Sequence, residues 1–214
     1  VGSVILAKKI GEKKFKEFIK KTKITSNPKI ELEEIGLPHQ IKWNKCKLET
    51  ISYGHGITTT PLQATALYAA MSNGGKLVKP SLIKDRQAET AKLIISKKTS
   101  KELAKILRKV VTSKDGTASL ANKNGYYVGG KTGTAESYGD KKSRINTFIS
   151  IFPTYRPNYT LFVMLENPKI NKNLIYNYRG VKTKAPYNTS GWNSVYVTGK
   201  IIEKIGPILA INNK

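Results

Sequence analysis

The stretch VGGKTGTAE at 128–136 contains three glycines and one lysine, with no bulky side chain between its ends. Glycine weakens the interior of a strand, and it often marks a place that a second backbone or a ligand must approach closely. Lys131 contributes a point charge with three donors, and Thr132 and Thr134 add hydroxyl groups beside it. The stretch therefore predicts an open surface for an anionic group, either a carboxylate or a phosphate.

A phosphate-binding loop is the first alternative for this stretch. Such a loop follows the pattern G-x-x-x-x-G-K-[ST] and runs directly into a helix. After Thr132 the chain continues with Gly, Thr and Ala instead of an apolar pattern of helical period. The sequence therefore favours an extended strand here over a phosphate-binding loop.

The length and the composition predict one globular domain covering 1–214. The chain has 214 residues, of which 39% are hydrophobic, enough for the core of a domain of ordinary size. No window approaches about eighteen consecutive apolar residues, and no signal-peptide pattern opens the chain. Because the chain begins with Val1 rather than Met, we expect an upstream segment that would hold any membrane anchor.

The formal net charge is +24, from 38 basic and 14 acidic residues. A charge of this sign fits a nucleic acid, an anionic membrane surface or an acidic polymer as partner. Most of the excess is lysine scattered over predicted helix faces, whereas nucleic-acid sites usually add arginine clusters and stacking aromatic rings. We therefore interpret the charge as a solvated basic face and expect no nucleic-acid partner.

The cysteine and histidine residues show no pattern of a disulfide or a metal site. Cys46 is the single cysteine and cannot form a disulfide within the chain. His39 and His55 lie sixteen residues apart, with no cysteine partner at the spacing of a zinc site. We therefore expect neither a metal nor a cofactor.

Two capping boxes mark predicted helix starts, Thr60 with Gln63 and Thr99 with Glu102. Pro61 stands at the first helical position after Thr60, and Asn73 with two following glycines predicts the end of that helix. Apolar periodicity supports further helices before and after these two. The sequence predicts five helices, at 3–10, 12–21, 60–73, 99–112 and 193–205, the last ended by Gly206 and Pro207.

From Tyr126 onward the pattern changes from helical to extended. After the glycine-rich stretch, 145–152 and 159–165 are rich in β-branched and aromatic residues and are joined by a turn cluster, while 167–191 reads as a long loop. Sequential strands with short links favour an antiparallel sheet. The predicted fold class is α+β, an antiparallel sheet with helices on both faces. Its helical part covers about 1–125, and its sheet and last helix cover about 126–214.

Several segments of the chain resemble a known enzyme family. The residues KTGTAE at 131–136 resemble the third signature of the serine acyl transferases that include penicillin-binding proteins and class A β-lactamases. SYGHGITTTPLQ at 52–63 and YAAMSNGG at 68–75 resemble the segment before that signature, and TSGWN at 189–193 resembles the close of the septum-forming class B members. Over essentially its whole length the chain resembles the C-terminal part of a class B transpeptidase domain, of the division-specific penicillin-binding protein 3 type.

The resemblance implies a mechanism and roles for four residues. In this family an activated serine attacks the D-Ala-D-Ala carbonyl of a peptidoglycan stem peptide, releases D-alanine and passes the acyl group to an amine. Lys131 would then hold the terminal carboxylate of the substrate, with the hydroxyls of Thr132 and Thr134 nearby. Gly133 would leave room for the substrate along the strand, and the backbone N–H of Thr134 would be an oxyanion-hole donor.

The first two motifs of the family are not found in a usable form. Ser-x-x-Lys occurs at Ser26 and at Ser81, but Pro28 interrupts the first, and Pro80 with Asp85 leaves the second too short for a helix. Ser-x-Asn does not occur, and Ser113 begins an imitation, Ser-Lys-Asp, that reads as a helix terminus. We therefore assign no nucleophile in this chain. We expect both motifs upstream of Val1 and expect the chain alone to be inactive.

The resemblance also implies partners and a location. Peptidoglycan stem peptides and β-lactams are the implied ligands, and other division proteins are implied partners of the longer protein. The implied location is the periplasmic face of the bacterial inner membrane, reached through an upstream anchor. Three alternatives stay open on the sequence alone: a serine β-lactamase-like hydrolase, a basic protein that binds polyanions or nucleic acid, and a degenerate, non-catalytic relative.

Overall fold

The computed structural model describes residues 1–86, 91–137 and 143–211. The chain divides into two compact units, one formed by Val1–Ala70 with Gly75–Ile95 and the other by Met71–Gly74 with Ser96–Lys214. In the part of the chain that the structure describes, no helix combines the length and the apolar character that crossing a membrane requires.

The first unit is mainly helical. Gly11, with a φ of 82°, separates its first two helices, as predicted. The short helix at Lys47–Ile51 was not predicted, because its five residues are too few to show a helical period. The elements are α1 Gly2–Ile10, α2 Glu12–Thr22, α3 Lys47–Ile51, α4 Pro61–Ser72, and the paired strands β1 Lys76–Leu77 and β2 Lys92–Leu93.

The start of α4 forms half of the predicted capping box. The hydroxyl of Thr60 accepts a hydrogen bond from the backbone N–H of Gln63 at 3.1 Å. The reciprocal half does not form, because the Gln63 side chain donates instead to the carbonyl groups of Lys23 and Ser26 at 2.7 and 3.1 Å. The amide of Gln63 therefore ties α4 to the turn after α2 rather than closing its own helix end.

The main helix of the second unit, α5 Lys97–Thr112, has its N-cap three residues before the predicted cap Thr99. Ser96 is the N-cap, and its hydroxyl accepts a hydrogen bond from the backbone N–H of Thr99 at 3.1 Å. The prediction of a capping box between Thr99 and Glu102 is therefore wrong. Glu102 pairs with Lys105 at 2.9 Å instead, so its carboxylate is used on the helix surface.

The sheet of the second unit has the predicted antiparallel order. Its strands are β3 Gly129–Ser137, β4 Ser143–Phe152 and β5 Tyr159–Glu166, with β4 in the centre. The core contains Phe148 and Phe152 of β4. Among the described residues β3 has one paired neighbour, so its other edge is open.

Helices cover this sheet on both faces, which confirms the predicted fold class. A side chain at Gly129 would lie 2.9 Å from the backbone nitrogen of Arg108, so α5 packs directly on the start of β3. Cross-strand partners share a face, and Gly129 pairs with Ile151, whereas Phe148 and Phe152 point to the opposite face. On that opposite face Phe148 and Phe152 join Val195 and Ile202 of the last helix in the core.

The end of the chain differs from the sequence prediction in two places. The predicted loop 167–191 contains a hairpin, β6 Tyr176–Tyr178 and β7 Val181–Thr183. The last helix, α6 Ser194–Ile211, does not end at Gly206 but continues through Pro207. A side chain at Gly206 would meet the ring of Tyr126, with the Tyr126 hydroxyl 2.6 Å away. Gly206 therefore provides space for a tyrosine ring instead of ending the helix.

Candidate active site

The predicted site residues lie in the middle of the edge strand β3. Side chains alternate along a strand, so Thr132 and Thr134 point to one face of the sheet, while Lys131 and the bare Gly133 lie on the other. Thr132 and Thr134 are two residues apart, so their backbone groups face the same edge. The strand therefore offers two hydroxyl groups on one side and a lysine on the other.

A cleft of about 430 Å³ opens beside the two threonines. Its walls come from two loops of the second unit, 114–117 after α5 and 189–192 before α6. The hydroxyl of Thr117 lies 3.0 Å from that of Thr132, and the hydroxyl of Ser190 lies 2.9 Å from that of Thr134. Each threonine of the strand therefore has one hydroxyl partner on a facing loop.

Ser190 is the most enclosed residue of the cleft, with 1% of its surface exposed. Its hydroxyl also donates to the carbonyl group of Gly133, and its backbone N–H lies 3.4 Å from the Thr134 hydroxyl. The first turn of α6 holds it in place, because Ser194 and Val195 both donate to the Ser190 carbonyl. Ser190 thus joins the start of α6 to the centre of the glycine-rich stretch.

The loop after α5 is fixed by an arginine from the unpredicted hairpin. Arg179 donates to the carbonyl groups of Ser113 and Gly116 at 2.8 and 2.9 Å. Gly116 packs directly against the end of α5, where a side chain would lie 3.0 Å from the Lys109 carbonyl. Ser113, predicted to imitate the second family motif, does follow the last residue of α5.

Aromatic rings form one wall of the cleft. Tyr178 of the hairpin stacks on Trp192 with ring centroids 4.8 Å apart, and both line the cleft. Tyr176 meets Trp192 edge-on at 5.5 Å, and burial, followed by the nearby Tyr196, raises the pKa of Tyr176. Trp192 packs against the core and also lines the cleft.

Lys131 is exposed and lies outside the described lining of the cleft. Its ammonium group donates to the carbonyl of Thr132 at 2.8 Å, so it stays close to the strand. Glu136, further along the strand, pairs with Arg144 at 2.6 Å. The structure thus brings Thr132 and Thr134 together in the cleft and places the Lys131 charge beside the backbone of the same strand.

Neither Ser-x-x-Lys pattern begins a helix. Ser26 lies in the turn after α2. The hydroxyl of Ser81 donates to the carboxylate of Glu31 at 2.8 Å, within an irregular segment. Both serines belong to the first unit, whereas Lys131 belongs to the second. The sequence prediction that neither is at a helix start is confirmed.

The phosphate-loop alternative is settled by local structure rather than by spacing. Gly125, Gly130, Lys131 and Thr132 do stand at the spacing of the phosphate-loop pattern. In the structure these last three residues lie within β3, which continues to Ser137 without a helix. The backbone N–H groups therefore cannot form the loop and helix start that enclose a phosphate.

The described residues, which omit 87–90, 138–142 and 212–214, contain no group of three or more His, Cys, Asp or Glu side chains able to hold a metal ion. In the same residues, the charged groups lining the cleft are Lys114 and Asp115. The cleft therefore offers hydrogen bonds from hydroxyl and backbone groups together with one positive and one negative side chain.

Sequence reasoning did not identify Ser190, Thr117 or Arg179 as part of this site. Ser190 lies 56 residues from its partner Thr134, and Thr117 lies 15 residues from Thr132. The segment TSGWN at 189–193 was noted only for its resemblance to the close of the class B members, which gave Ser190 no role at the site. No local periodicity or spacing marks a serine that meets a distant strand, so these contacts follow only from the folded structure.

Comparison with known proteins agrees with the geometry. The family model "Penicillin binding protein transpeptidase domain" matches residues 1–188. The chain belongs to this family. This match and the curated relatives together confirm the resemblance to class B, division-type penicillin-binding proteins. The chain is 29% identical over 229 residues to the probable peptidoglycan D,D-transpeptidase FtsI of Caulobacter vibrioides, covering 100% of this chain and 37% of that protein.

A second curated relative is similar over a smaller part of the chain. The chain is 32% identical over 187 residues to stage V sporulation protein D of Bacillus subtilis, covering 78% of this chain and 29% of that protein. The chain therefore spans about a third of the length of these curated relatives.

Two solved structures share the fold. The apo transpeptidase domain of Burkholderia pseudomallei penicillin-binding protein 3 has a TM-score of 0.78 at 21% identity, covering 97% of this chain and 61% of that one. Penicillin-binding protein 3 of Mycobacterium tuberculosis, complexed with ampicillin, has a TM-score of 0.77 at 23% identity, covering 96% and 49%.

Proposed function

We propose that the protein acts as a serine-type peptidoglycan D,D-transpeptidase in cell division and that β3 is the substrate-binding wall of its active site. One observation carries this proposal: the Lys-Thr-Gly-Thr stretch lies on an open sheet edge, with both threonine hydroxyls in a cleft. An extended acyl-peptide can pair with such an edge by strand addition. Membership of the transpeptidase domain family supplies the reaction class.

In the proposed reaction a serine hydroxyl attacks the carbonyl between the last two D-alanines of a stem peptide. The C–N bond breaks, the terminal D-alanine leaves with the proton from the serine, and an ester remains on the enzyme. An amine of a second stem peptide then attacks the ester, forms the cross-linking amide and returns the proton to the serine. We assign the attacking serine to no residue of this chain.

The four strand residues take separate roles in this proposal. The ammonium group of Lys131, on the opposite face of the strand and hydrogen-bonded to the Thr132 carbonyl, provides a positive field for the terminal carboxylate of the substrate. On substrate binding the hydroxyls of Thr132 and Thr134 turn from their partners Thr117 and Ser190 to donate hydrogen bonds to the same carboxylate region. Gly133 has no side chain that would block the substrate.

The backbone N–H of Thr134 is proposed as an oxyanion-hole donor. Loss of one such donor typically lowers the rate by about 10² to 10³. The hydroxyl of Ser190 contacts the Gly133 carbonyl and the Thr134 hydroxyl, so it holds in place the peptide unit that carries this N–H.

The same proposal sets the ligands and the location. Relatives are named peptidoglycan D,D-transpeptidases, and one solved neighbour is a complex with ampicillin. We therefore propose stem peptides and β-lactams as ligands and the periplasmic face of the inner membrane as the place of action. Other division proteins are proposed as partners of the whole protein.

Labelling with a fluorescent penicillin tests the proposal. The intact protein, its Lys131→Ala variant and a Lys204→Ala control are incubated with the label and separated on a denaturing gel. Lys204 is an exposed lysine of α6, so the control removes the same charge away from the cleft. We expect covalent label on the wild type and the control, and labelling slower by about 10² in Lys131→Ala.

Two results would contradict the proposal. Equal labelling of all three proteins would show that Lys131 has no part in binding the carboxylate. Rapid turnover of the penicillin without a lasting adduct would identify a β-lactamase-like hydrolase instead.

A further inference from the structure

A second concave surface lies along α5 and is separate from the cleft beside β3. This surface, which we name the α5 groove, has a volume of about 810 Å³. One side of α5 forms its floor and first wall, the turn 72–74 closes one end, and the loop 154–157 between β4 and β5 forms the opposite wall. None of the residues proposed for catalysis lines it.

The shape of the α5 groove is fixed by buried hydrogen bonds. Ser100, 2% exposed, donates to the carbonyl of Met71 at 2.7 Å and accepts from the backbone N–H of Gly74 at 3.0 Å. At the other end the backbone N–H of Thr154 donates to the Tyr127 carbonyl at 3.0 Å. Both ends of the groove are thus anchored to the body of the unit.

The charge lining the α5 groove has one sign. Lysines recur at every fourth position of α5, at Lys97, Lys101, Lys105 and Lys109, and all four are exposed. Within the described residues, no carboxylate lines the groove. Lys105 pairs with Glu102 at 2.9 Å, whereas the other three have no ion pair in the part of the chain that the structure describes.

The wall facing these lysines is aromatic. Tyr155 is 72% exposed, which is high for a large ring, and it meets Tyr127 edge-on with centroids 5.1 Å apart. Tyr127 itself is 50% exposed. Tyr155 is thus an exposed aromatic ring in a concavity, a feature of interaction surfaces rather than of a solvated face.

The spacing of the lysines identifies the geometry of a ligand. Four residues of helix advance by about 6 Å, and alternate residues of an extended chain advance by about 6.6 Å. A ligand with a carboxylate at every second residue can therefore meet successive lysines while its intervening side chains face Tyr155. Screened charge pairs of this kind add specificity and association rate, while the aromatic contact adds affinity.

The groove fits nucleic acid less well. Such sites combine aromatic stacking platforms with arginine contacts. Arg108, the arginine among the described groove residues, already donates to the Val128 carbonyl at 2.6 Å and to the Asn122 side chain at 3.0 Å. Tyr155 contacts Tyr127 edge-on, so the two rings do not present parallel faces on which successive bases could stack.

We propose that the α5 groove binds an extended acidic segment of a partner protein, with carboxylates at alternate residues and an apolar or aromatic side chain against Tyr155. This function is separate from the proposed transpeptidase chemistry. The occupied surface would link the catalytic domain to another protein without covering the cleft.

Fluorescence anisotropy with a defined peptide tests this proposal. The probe is a fluorescein-labelled peptide of about nine residues, with glutamate at alternate positions and tyrosine or valine between them, titrated with the intact protein. The variants are Lys101→Glu and Tyr155→Ala, with Lys204→Glu as the control. Lys204 is an exposed helix lysine outside the groove, so the control makes the same change in net charge.

We expect Lys101→Glu and Tyr155→Ala each to weaken binding by about tenfold, and Lys204→Glu by less than about twofold. A peptide of the same composition with contiguous glutamates should bind several times more weakly. The proposal is overturned by no peptide binding, by equal losses in Lys101→Glu and Lys204→Glu, or by an oligothymidylate of equal charge binding more tightly than the peptide.

Discussion

At the scale of single residues, Ser190 shows how the fold completes the glycine-rich stretch. Its hydroxyl contacts the side chain of Thr134 and the carbonyl of Gly133, and it is almost fully buried. Buried polar groups that lose a partner carry the full cost of leaving water. The position of Thr134 therefore depends on a serine that follows it by 56 residues.

Ser190→Ala should lower the free energy of unfolding by about 1–3 kcal/mol, because it removes one hydrogen bond from the Gly133 carbonyl and one from the Thr134 hydroxyl. Urea unfolding of the intact protein measures this change. Ser113→Ala is the matched control, since Ser113 is exposed and its side chain makes no hydrogen bond among the described residues. A control variant that loses as much stability as Ser190→Ala would refute the assigned role.

The sequence could identify the strand residues of this candidate site but not the loop residues that face them. Lys131, Thr132, Gly133 and Thr134 are contiguous, so their types and order are visible in the printed sequence. Their partners come from loops far along the chain, and pairing at that distance is set by tertiary packing. That is why Thr117 and Ser190 emerged only from the structure.

At the scale of elements, the start of α5 shows a competition between two possible caps. Ser96 and Thr99 are both good N-cap residues, and Thr99 has Glu102 at capping-box distance. The helix begins earlier because the Ser96 hydroxyl reaches the Thr99 backbone N–H. Local sequence could not rank the two.

Ser96→Ala should lower the free energy of unfolding by about 1 kcal/mol, the usual cost of losing an N-cap. Thr99→Ala should change it by less than about 0.5 kcal/mol, because the Thr99 backbone N–H remains able to donate to Ser96. Chemical denaturation of both variants gives the comparison. A larger loss in Thr99→Ala would place the cap where the sequence pattern had predicted it.

Glu31 connects an irregular segment of the first unit to 81–86. Its carboxylate accepts hydrogen bonds from the backbone N–H of Leu82 at 2.9 Å and from the hydroxyl of Ser81 at 2.8 Å, and it pairs with Arg86. These contacts, the Leu82 N–H foremost, lower the pKa of Glu31 from 4.5 to about 2. The charged carboxylate is thus favoured by the folded state.

The pH dependence follows from the direction of this shift. Because the folded pKa is lower than the unfolded one, the stabilisation is complete above pH 4.5 and is lost as the pH falls toward about 2. In Glu31→Gln this part of the acid sensitivity should disappear, as measured by urea unfolding between about pH 6 and pH 2. Glu33→Gln, at an exposed neighbouring position, should keep the wild-type slope. An unchanged slope in Glu31→Gln would contradict the assignment.

Elements with a strong period were predicted well, and short or exceptional ones were not. The strands β4 and β5 and the helix α5 carry long apolar patterns, which tertiary packing reinforces. The β6 and β7 strands have three residues each, too few to establish alternation. The last helix α6 continues through Pro207, and Gly206 leaves room for the Tyr126 ring, a contact between distant residues that no local rule contains.

At the scale of the whole molecule, the net charge of +24 acts on stability apart from any site. Like charges on a folded chain repel one another, and salt screens this repulsion. The midpoint of thermal unfolding should therefore rise by a few degrees, about 2–5 °C, as NaCl increases from about 0.02 M to about 0.2 M.

A variant of lower charge provides the control for this effect. Lys13→Glu with Lys14→Glu replaces two exposed lysines, and each replacement removes two charge units, so the formal net charge falls from +24 to +20. The midpoint of thermal unfolding of this variant should rise less with salt than that of the wild type. A midpoint independent of salt in both proteins would show that the excess charge is already compensated.

The class of the fold could be predicted because the change from helical to extended period occurs once along the chain, near Tyr126. The division into two compact units could not, because each of them takes its residues from two separate ranges, the first from Val1–Ala70 and Gly75–Ile95. Grouping of this kind depends on contacts between distant segments, and such contacts leave no periodic signal in the sequence.

Release of D-alanine tests the central claim most directly, because it measures the reaction on the proposed substrate. The intact protein, Lys131→Ala and Lys204→Ala are each given a synthetic stem peptide ending in D-Ala-D-Ala together with an amine acceptor, and kcat/KM for D-alanine release is measured. We predict similar values for the wild type and Lys204→Ala and a decrease of about 10² or more for Lys131→Ala. Equal values for the wild type and Lys131→Ala would contradict the assignment of β3 as the substrate-binding wall.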